Sequence, residues 1–232
     1  TLPPNFLSRK SILSDVAIDR GGVTLVSAPA GFGKTSLVAE FVASLEFPVI
    51  WYNAIDSDSA RDLNAHVLQA IRNVEPKFAP QLNESLNKEA DKFLIEVFNE
   101  LSEYEKHFVV VVDNNRINKP QDEARSNEFI QLLPSNIHFI SIRRNLSNSS
   151  LKQISSIDNF KIYGLHDLKF THAEIQHICE IRGLDLSDKR IEQLLKSAQG
   201  WPSAVNMLIT NLGRGIKTEK IFFDDKFGVE PL

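Results

Sequence analysis

The residues with the plainest chemical purpose are the eight of APAGFGKT, over 28–35. Their spacing is that of G-x-x-x-x-G-K-[ST], with Ala28 in place of the first glycine. Glycines such as Gly31 and Gly33 let the backbone curl until several N–H groups aim at one anion, and the N-terminus of a following helix adds positive potential. Lys34 is then placed to reach the β and γ phosphates of a nucleotide, and Thr35 to ligate Mg²⁺. A second stretch, FVVVVDNN over 108–115, reads as a buried parallel strand delivering the carboxylate of Asp113 to the rim of a sheet, where it would hold the metal beside those phosphates. In nucleotide hydrolysis a second acid commonly follows the first and orients or deprotonates the attacking water. Here the next residue is Asn114, which can hydrogen-bond water but has no basic carboxylate. The two stretches together predict nucleotide binding with slow hydrolysis. Each also has a plainer reading: a glycine turn with an incidental Lys-Thr, and an aspartate that merely ends a strand. Their occurrence in one chain favours the nucleotide.

The elements that must hold these residues alternate between strand and helix. A strand over 23–27 enters the glycine loop, and the helix leaving it carries an apolar face of Leu37, Val38, Phe41 and Val42. Further strands are expected over 47–53, 108–112 and 137–142, with helices from a Ser59 cap to about residue 73, over most of 84–106, and over 128–133. This alternation predicts an α/β fold, a parallel sheet with helices on both faces. After short apolar pieces around Ile162 the pattern turns purely helical. THAE places Thr171 and Glu174 at capping-box spacing, Ser187 can cap a second helix that stops near Gly200, and Pro202 sits where a third begins. The expected organisation is a nucleotide-binding domain over 1–164, a small helical subdomain over 165–214, and a linker or the start of another domain over 215–232.

Composition narrows the field. The chain has 232 residues, 42% hydrophobic and 24% charged, enough for one large domain or one large and one small. A formal charge of -4 with scattered Lys and Arg argues against a nucleic-acid or anionic membrane surface on this stretch. Cys179 is the single cysteine, which excludes an internal disulfide and suits a small core position. No apolar run approaches the roughly 20 residues of a membrane span. The first residue is Thr1 rather than Met, so a fragment of a longer protein is expected. Asp56 and Asp58 lack the glycine and distal glutamate of a calcium loop, and neither HExxH nor G-x-S-x-G occurs, so no structural metal or acyl transfer is expected. Trp51 and Trp201 are read as core or interface residues.

The stretches FLSRKSIL, SAPAGFGKTSL, FVVVVDN, and DLKFTHAE followed by GWPSAV stand in the order found in the nucleotide-binding module of STAND-class signalling ATPases. Across nearly its whole length the chain resembles most closely the MalT-like branch of LuxR-type transcription regulators, and WYNAIDSDSARD is similar to that branch's second strand and acidic loop. The resemblance implies a P-loop NTPase fold of AAA+/STAND type, with ATP/ADP and Mg²⁺ as ligands, serving as a cytoplasmic signal-transduction switch. It implies that Arg9 and nearby backbone lie by the adenine, and that Ala30, Gly31, Phe32, Gly33, Lys34, Thr35 and Ser36 surround the phosphates. Thr35 and Asp113 would hold Mg²⁺, Arg144 or Arg143 would sense the γ phosphate, and Pro202 of GWP would pack near the base. The arginine pair also reads as a solvated strand end, and GWP as a helix stop and start.

Two departures bear on turnover: Asn114 stands where the family usually has a second acid, and Arg116 where this branch often has histidine. The expected function is an ATP/ADP switch. ADP would hold a closed monomer, ATP would favour opening and self-association, and DNA would be bound only by a domain outside this stretch. The rival is a AAA+-like ATPase or P-loop kinase with sustained turnover, which calls for a second acid after Asp113 or an arginine-rich lid. A passive nucleotide-holding module is the third reading. Glu40, Asp56 and Asp58 are the other acids that could serve as base.

Overall fold

The computed structural model describes residues 6–54, 59–113, 130–145 and 158–215. Asp56, Asp58, Asn114 and Arg116 lie outside the described residues, as does the whole tail after Gly215. Among the described residues five parallel strands form the sheet: β1 (Gly22–Ser27), β2 (Val49–Asn53), β3 (Phe108–Asp113), β4 (Ile137–Arg143) and β5 (Phe160–Tyr163). Their order is β2-β3-β4-β1-β5. A strand covered on both faces must be apolar on both, and β4, in the middle, is buried along its whole length. β5 is the apolar stretch around Ile162, for which no strand was expected. It is a four-residue edge strand with Ile162 40% exposed, too short and too open to show a period.

Side-chain alternation sends Val109 and Val111 to one face and Phe108 and Val110 to the other. On the first face lies α1 (Lys34–Ala43), whose Leu37, Val38, Phe41 and Val42 pack with Val26, Ile140 and Ile142. On the second, α2 (Ala60–Val74) and α3 (Ala90–Ser102) bury Leu68, Ile71, Phe93 and Val97 over Ile50 and Ile137. Ser59 caps α2 in a reciprocal box with Asp62. The helix expected over most of 84–106 is shorter. A 3-10 turn at Pro80–Ser85 precedes it, and the Asn64 amide takes the carbonyls of Leu86 and Lys88, which a helix would need for itself. Of the helix expected over 128–133, the described part is helical at Ile130 and Gln131. Deep in the sheet, Thr24 and His138, both 0% exposed, share a hydrogen bond of 2.9 Å.

The described residues after β5 form helices: α4 (Leu165–Leu168), α5 (His172–Ile181), α6 (Asp188–Ala198) and α7 (Pro202–Gly213). α5, α6 and α7 bury their own apolar cluster, including Ile175, Ile178, Ile191, Leu194, Val205 and Ile209. The Thr171–Glu174 capping box forms as its spacing predicts. Ser187 occupies the N-cap of α6, but its side chain makes no capping hydrogen bond; its carbonyl accepts from Arg190 and Ile191 instead. Leu7, near the start of the described chain, packs on the same helical cluster. Among the described residues no helix is long and apolar enough to cross a membrane.

Candidate nucleotide site

Because all the strands run the same way, their carboxyl ends share one edge, the place where open α/β sheets bind ligands. Residues 28–33 leave β1 at that edge and turn into α1. The Ala28 N–H donates to the Arg143 carbonyl at 3.3 Å, and Ala28 is absent from the left-handed region, so alanine serves where the pattern has glycine. Gly31 and Gly33 adopt φ of 80° and 75°, where an L side chain costs about 1 to 2 kcal/mol.

The catalytic candidates gather on one side of this loop. Lys34 Nζ donates to the Pro29 carbonyl at 2.8 Å. Burial, and then the nearby charge of Arg144, hold the Lys34 pKa below the ordinary lysine range against the pull of Asp113. Such an amine gains from an anion. Thr35 Oγ1 donates to Asp113 Oδ2 at 2.9 Å, joining a hydroxyl and a carboxylate, both hard oxygen donors of the kind Mg²⁺ takes. A cavity of about 320 Å³ opens over these groups, with Asn53, Arg143 and Arg144 on its other walls. Asn53 arrives there through sheet register, since it ends β2 directly opposite Asp113. Arg143 is 3% exposed and its Nε donates to Ser141 Oγ at 2.8 Å, whereas Arg144 is exposed and is the arginine whose charge acts on Lys34.

On the other side of the loop lies a larger cavity, about 870 Å³, between residues 6–9, the start of α1, and α5 and α7. Phe6, Leu7, Phe170 and Pro202 give it apolar walls, and Arg182 and Asn206 a polar end where Arg182 Nη2 donates to Asn206 Oδ1 at 2.7 Å. Apolar walls with a few placed polar groups are the character of small-molecule sites. Arg9 belongs to this wall, but its guanidinium is engaged. Nε meets Glu174 Oε1 at 2.6 Å, Nη1 and Nη2 donate to the carbonyls of Leu168 and Lys169 at 3.0 Å, and the group lies 4.9 Å from the centre of the Phe170 ring. The Arg9 N–H donates to Glu40 Oε2 at 2.9 Å. Arg9 thus ties the N-terminal segment to the helical part, and what it offers a ligand is backbone.

The helical part also reaches the glycine loop itself. Trp201 Nε1 donates to the Ala30 carbonyl at 3.2 Å, and the Ser203 backbone N–H and Oγ donate to the Gly31 carbonyl at 3.1 and 2.9 Å. The Trp201 ring stacks on Phe32 with centroids 6.5 Å apart.

No family model matches the chain. Solved structures that share its fold include two from archaea. Cdc6p from Pyrobaculum aerophilum has a TM-score of 0.54 at 13% identity over 93% of this chain and 65% of that one. Orc1 from Aeropyrum pernix, in complex with DNA, has a TM-score of 0.52 at 13% identity over 95% of this chain and 62% of that one. Among curated proteins, the HTH-type transcriptional regulator MalT of Yersinia enterocolitica is 26% identical over 204 residues, 84% of this chain. The same regulator of Yersinia pestis is 25% identical over 194 residues, 80% of this chain. The chain is a MalT-like P-loop NTPase module. It spans about a fifth of the length of those relatives, 22% and 21%.

In this MalT-like module Ala30, Asp113, Arg143 and Arg144 line the smaller cavity, and Arg9, Phe32, Gly33, Ser36 and Pro202 the larger, with Gly31, Lys34 and Thr35 on both. Asn114 lies outside the described residues. Glu40 lines neither cavity and accepts the Arg9 N–H, so it stands apart from the phosphate side. Sequence reasoning passed over Asn53 and Ser203. Asn53 was findable as the polar end of a second buried strand, and Ser203 as a hydroxyl directly after the proline that opens a helix. Trp201 is an interface residue, as read from the sequence, and its interface is with the glycine loop.

Proposed function

We propose that this MalT-like module is the ATP/ADP-binding switch of a longer bacterial signalling ATPase, a cytoplasmic LuxR-type transcription regulator, with weak hydrolysis. The observation that supports this best is that one glycine loop, with Lys34 and Thr35 on both sides, faces two adjoining cavities of different character. One offers a lysine, a hydroxyl, a carboxylate and arginines, which suits a phosphate chain; the other joins apolar walls to a polar end and is roofed by the helical part, which suits adenosine.

In this reading Lys34 and the N–H groups of Gly31, Phe32, Gly33, Thr35 and Ser36 hold the phosphates. Thr35 and Asp113 hold Mg²⁺, which when bound neutralises charge on the phosphate oxygens. Arg144 meets the γ phosphate, while Pro202 and the backbone around Arg9 lie against the base. A ligand so held touches both the 1–164 domain and the 165–214 subdomain. ADP and ATP then shift the arrangement only by the difference in their affinities for its closed and open states, ADP favouring a closed monomer and ATP opening and self-association. Contact with DNA belongs to parts of the longer protein outside this stretch, as the name of the MalT relatives suggests.

Weak hydrolysis follows from the supply of bases. Asp113 is the one acid among the described residues lining the phosphate-side cavity, and it accepts the Thr35 hydroxyl. Asn114 adds no carboxylate. Sustained turnover, the rival reading, needs a second acid, which this cavity lacks among its described residues. The binding assignment is tested by titrating a fluorescent ADP analogue into the chain and its Lys34→Ala variant. The variant loses charge-assisted hydrogen bonds of about 1.5 to 3 kcal/mol, so affinity falls about ten- to hundredfold. Unchanged binding refutes the assignment, and identifying the nucleotide released on denaturation of purified protein tests the choice of adenine.

A further inference from the structure

A peptide's N–H and C=O point in opposite directions. A loop that turns successive N–H groups inward around an anion therefore turns carbonyls outward, and those carbonyls need donors. In residues 28–33 the outward carbonyls of Ala30 and Gly31 take theirs from the start of α7.

The first turn of a helix has the matching need, because its N–H groups have no acceptor within the helix. Pro202, at the first position of α7, carries no N–H, and the next donor, Ser203 N–H, goes to Gly31 O at 3.1 Å. The Ser203 hydroxyl joins it on the same oxygen at 2.9 Å. Trp201, the N-cap, reaches Ala30 O at 3.2 Å and lays its ring over Phe32 with 24° between the planes. Two sets of groups with unmet hydrogen-bonding capacity thus satisfy each other, one on the loop and one on the helix.

The two glycines of the loop divide their work accordingly. A Cβ on Gly31 would lie 2.6 Å from both Ser203 Oγ and Trp201 Nε1, while a Cβ on Gly33 would meet nothing within 4 Å. Gly31 is bare for its left-handed φ and because α7 docks on it. Gly33 is bare for its left-handed φ and its open side.

We propose that Trp201 and Ser203 are positioning residues for the phosphate loop: they hold its outward carbonyls, keep it curled for phosphate, and so slow nucleotide release. The proposal rests on reading residues 28–33 as the phosphate cradle. Pro202 lies between the two donors and lines the larger cavity, so movement of α7 alters the loop and the base side together. Release of nucleotide then requires the loop to lose its curl against these donors or α7 to leave.

The test is stopped-flow release of a fluorescent ADP analogue from the native chain, Trp201→Phe, Ser203→Ala and the double variant. Trp201→Phe keeps a ring on Phe32 and loses the N–H; Ser203→Ala keeps the backbone donor and the helix and loses the hydroxyl. Each single variant is expected to release nucleotide about two- to tenfold faster, and the double variant faster still, with the association rate unchanged within about twofold. Met207→Ala, an exposed position on the same helix, is expected to release at the native rate. Native release from the double variant, or faster release from Met207→Ala to the same degree, overturns the proposal. Lys34→Ala separates the two layers. If it loses binding while the double variant releases normally, the cradle stands and the positioning role falls; if the native chain binds no nucleotide, both fall.

Discussion

Replacing Gly31 and, separately, Gly33 by alanine measures how firmly the helical part grips the loop. Both glycines have φ near the same left-handed value, 80° and 75°, so each variant carries a backbone cost of about 1 kcal/mol. There the likeness ends. At Gly33 the new methyl has open space, so the backbone cost is the whole effect in nucleotide-free protein. At Gly31 the methyl lies 2.6 Å from Ser203 Oγ and Trp201 Nε1, closer than any real Cβ contact, and α7 must withdraw. Withdrawal breaks the three hydrogen bonds to Ala30 and Gly31, each worth about 1 kcal/mol net. Gly31→Ala is therefore expected to cost about 3 kcal/mol more than Gly33→Ala. The assay is urea unfolding without nucleotide, followed by far-ultraviolet circular dichroism and by tryptophan emission, which reports Trp201 leaving Phe32. Equal losses of stability in the two variants, with no separate change in emission, would refute the docking argument.

Three further outcomes are expected. Burial pushes the His138 imidazole from an ordinary 6.5 down to about 4, partly offset by the carbonyls of Gly21 and Ala17, so the unfolded chain takes up this proton first. The residue's contribution is intact above about pH 6.5 and is lost as pH falls toward 4, by about 3 kcal/mol in all; melting at pH 7 and pH 5 should differ less in His138→Gln than in the native chain. Arg9→Ala leaves Glu174 without its ion-pair partner and strips the Leu168 and Lys169 carbonyls of a donor, with an expected loss of about 3 kcal/mol in urea unfolding; a loss near zero would mean the clamp carries no load. Asn114→Asp supplies the missing carboxylate, and single-turnover hydrolysis is expected to rise by about a hundredfold or more, whereas brisk hydrolysis in the native chain, indifferent to the change, would show that another group acts as base.

The sequence by itself determined what depends on neighbours within a turn or a strand. The glycine loop, the helix that follows it, the apolar central strands, and the Thr171–Glu174 box are local patterns, and each formed where its spacing put it. Periodicity states which side of an element is buried, but not what buries it. A shift of one residue decides that Arg143 turns to Ser141 while Arg144 stands by Lys34, and no pattern in IRRN records that choice. Asn53 joins Asp113 only through the pairing of β2 with β3. Arg9 meets Glu174 across 165 residues of chain, and Ser203 meets Gly31 across 172. Those partnerships rest on how the helical part packs against the sheet edge, which many weak contacts settle together, and so only the tertiary structure decided that the loop read as a phosphate cradle is also the surface on which α7 docks.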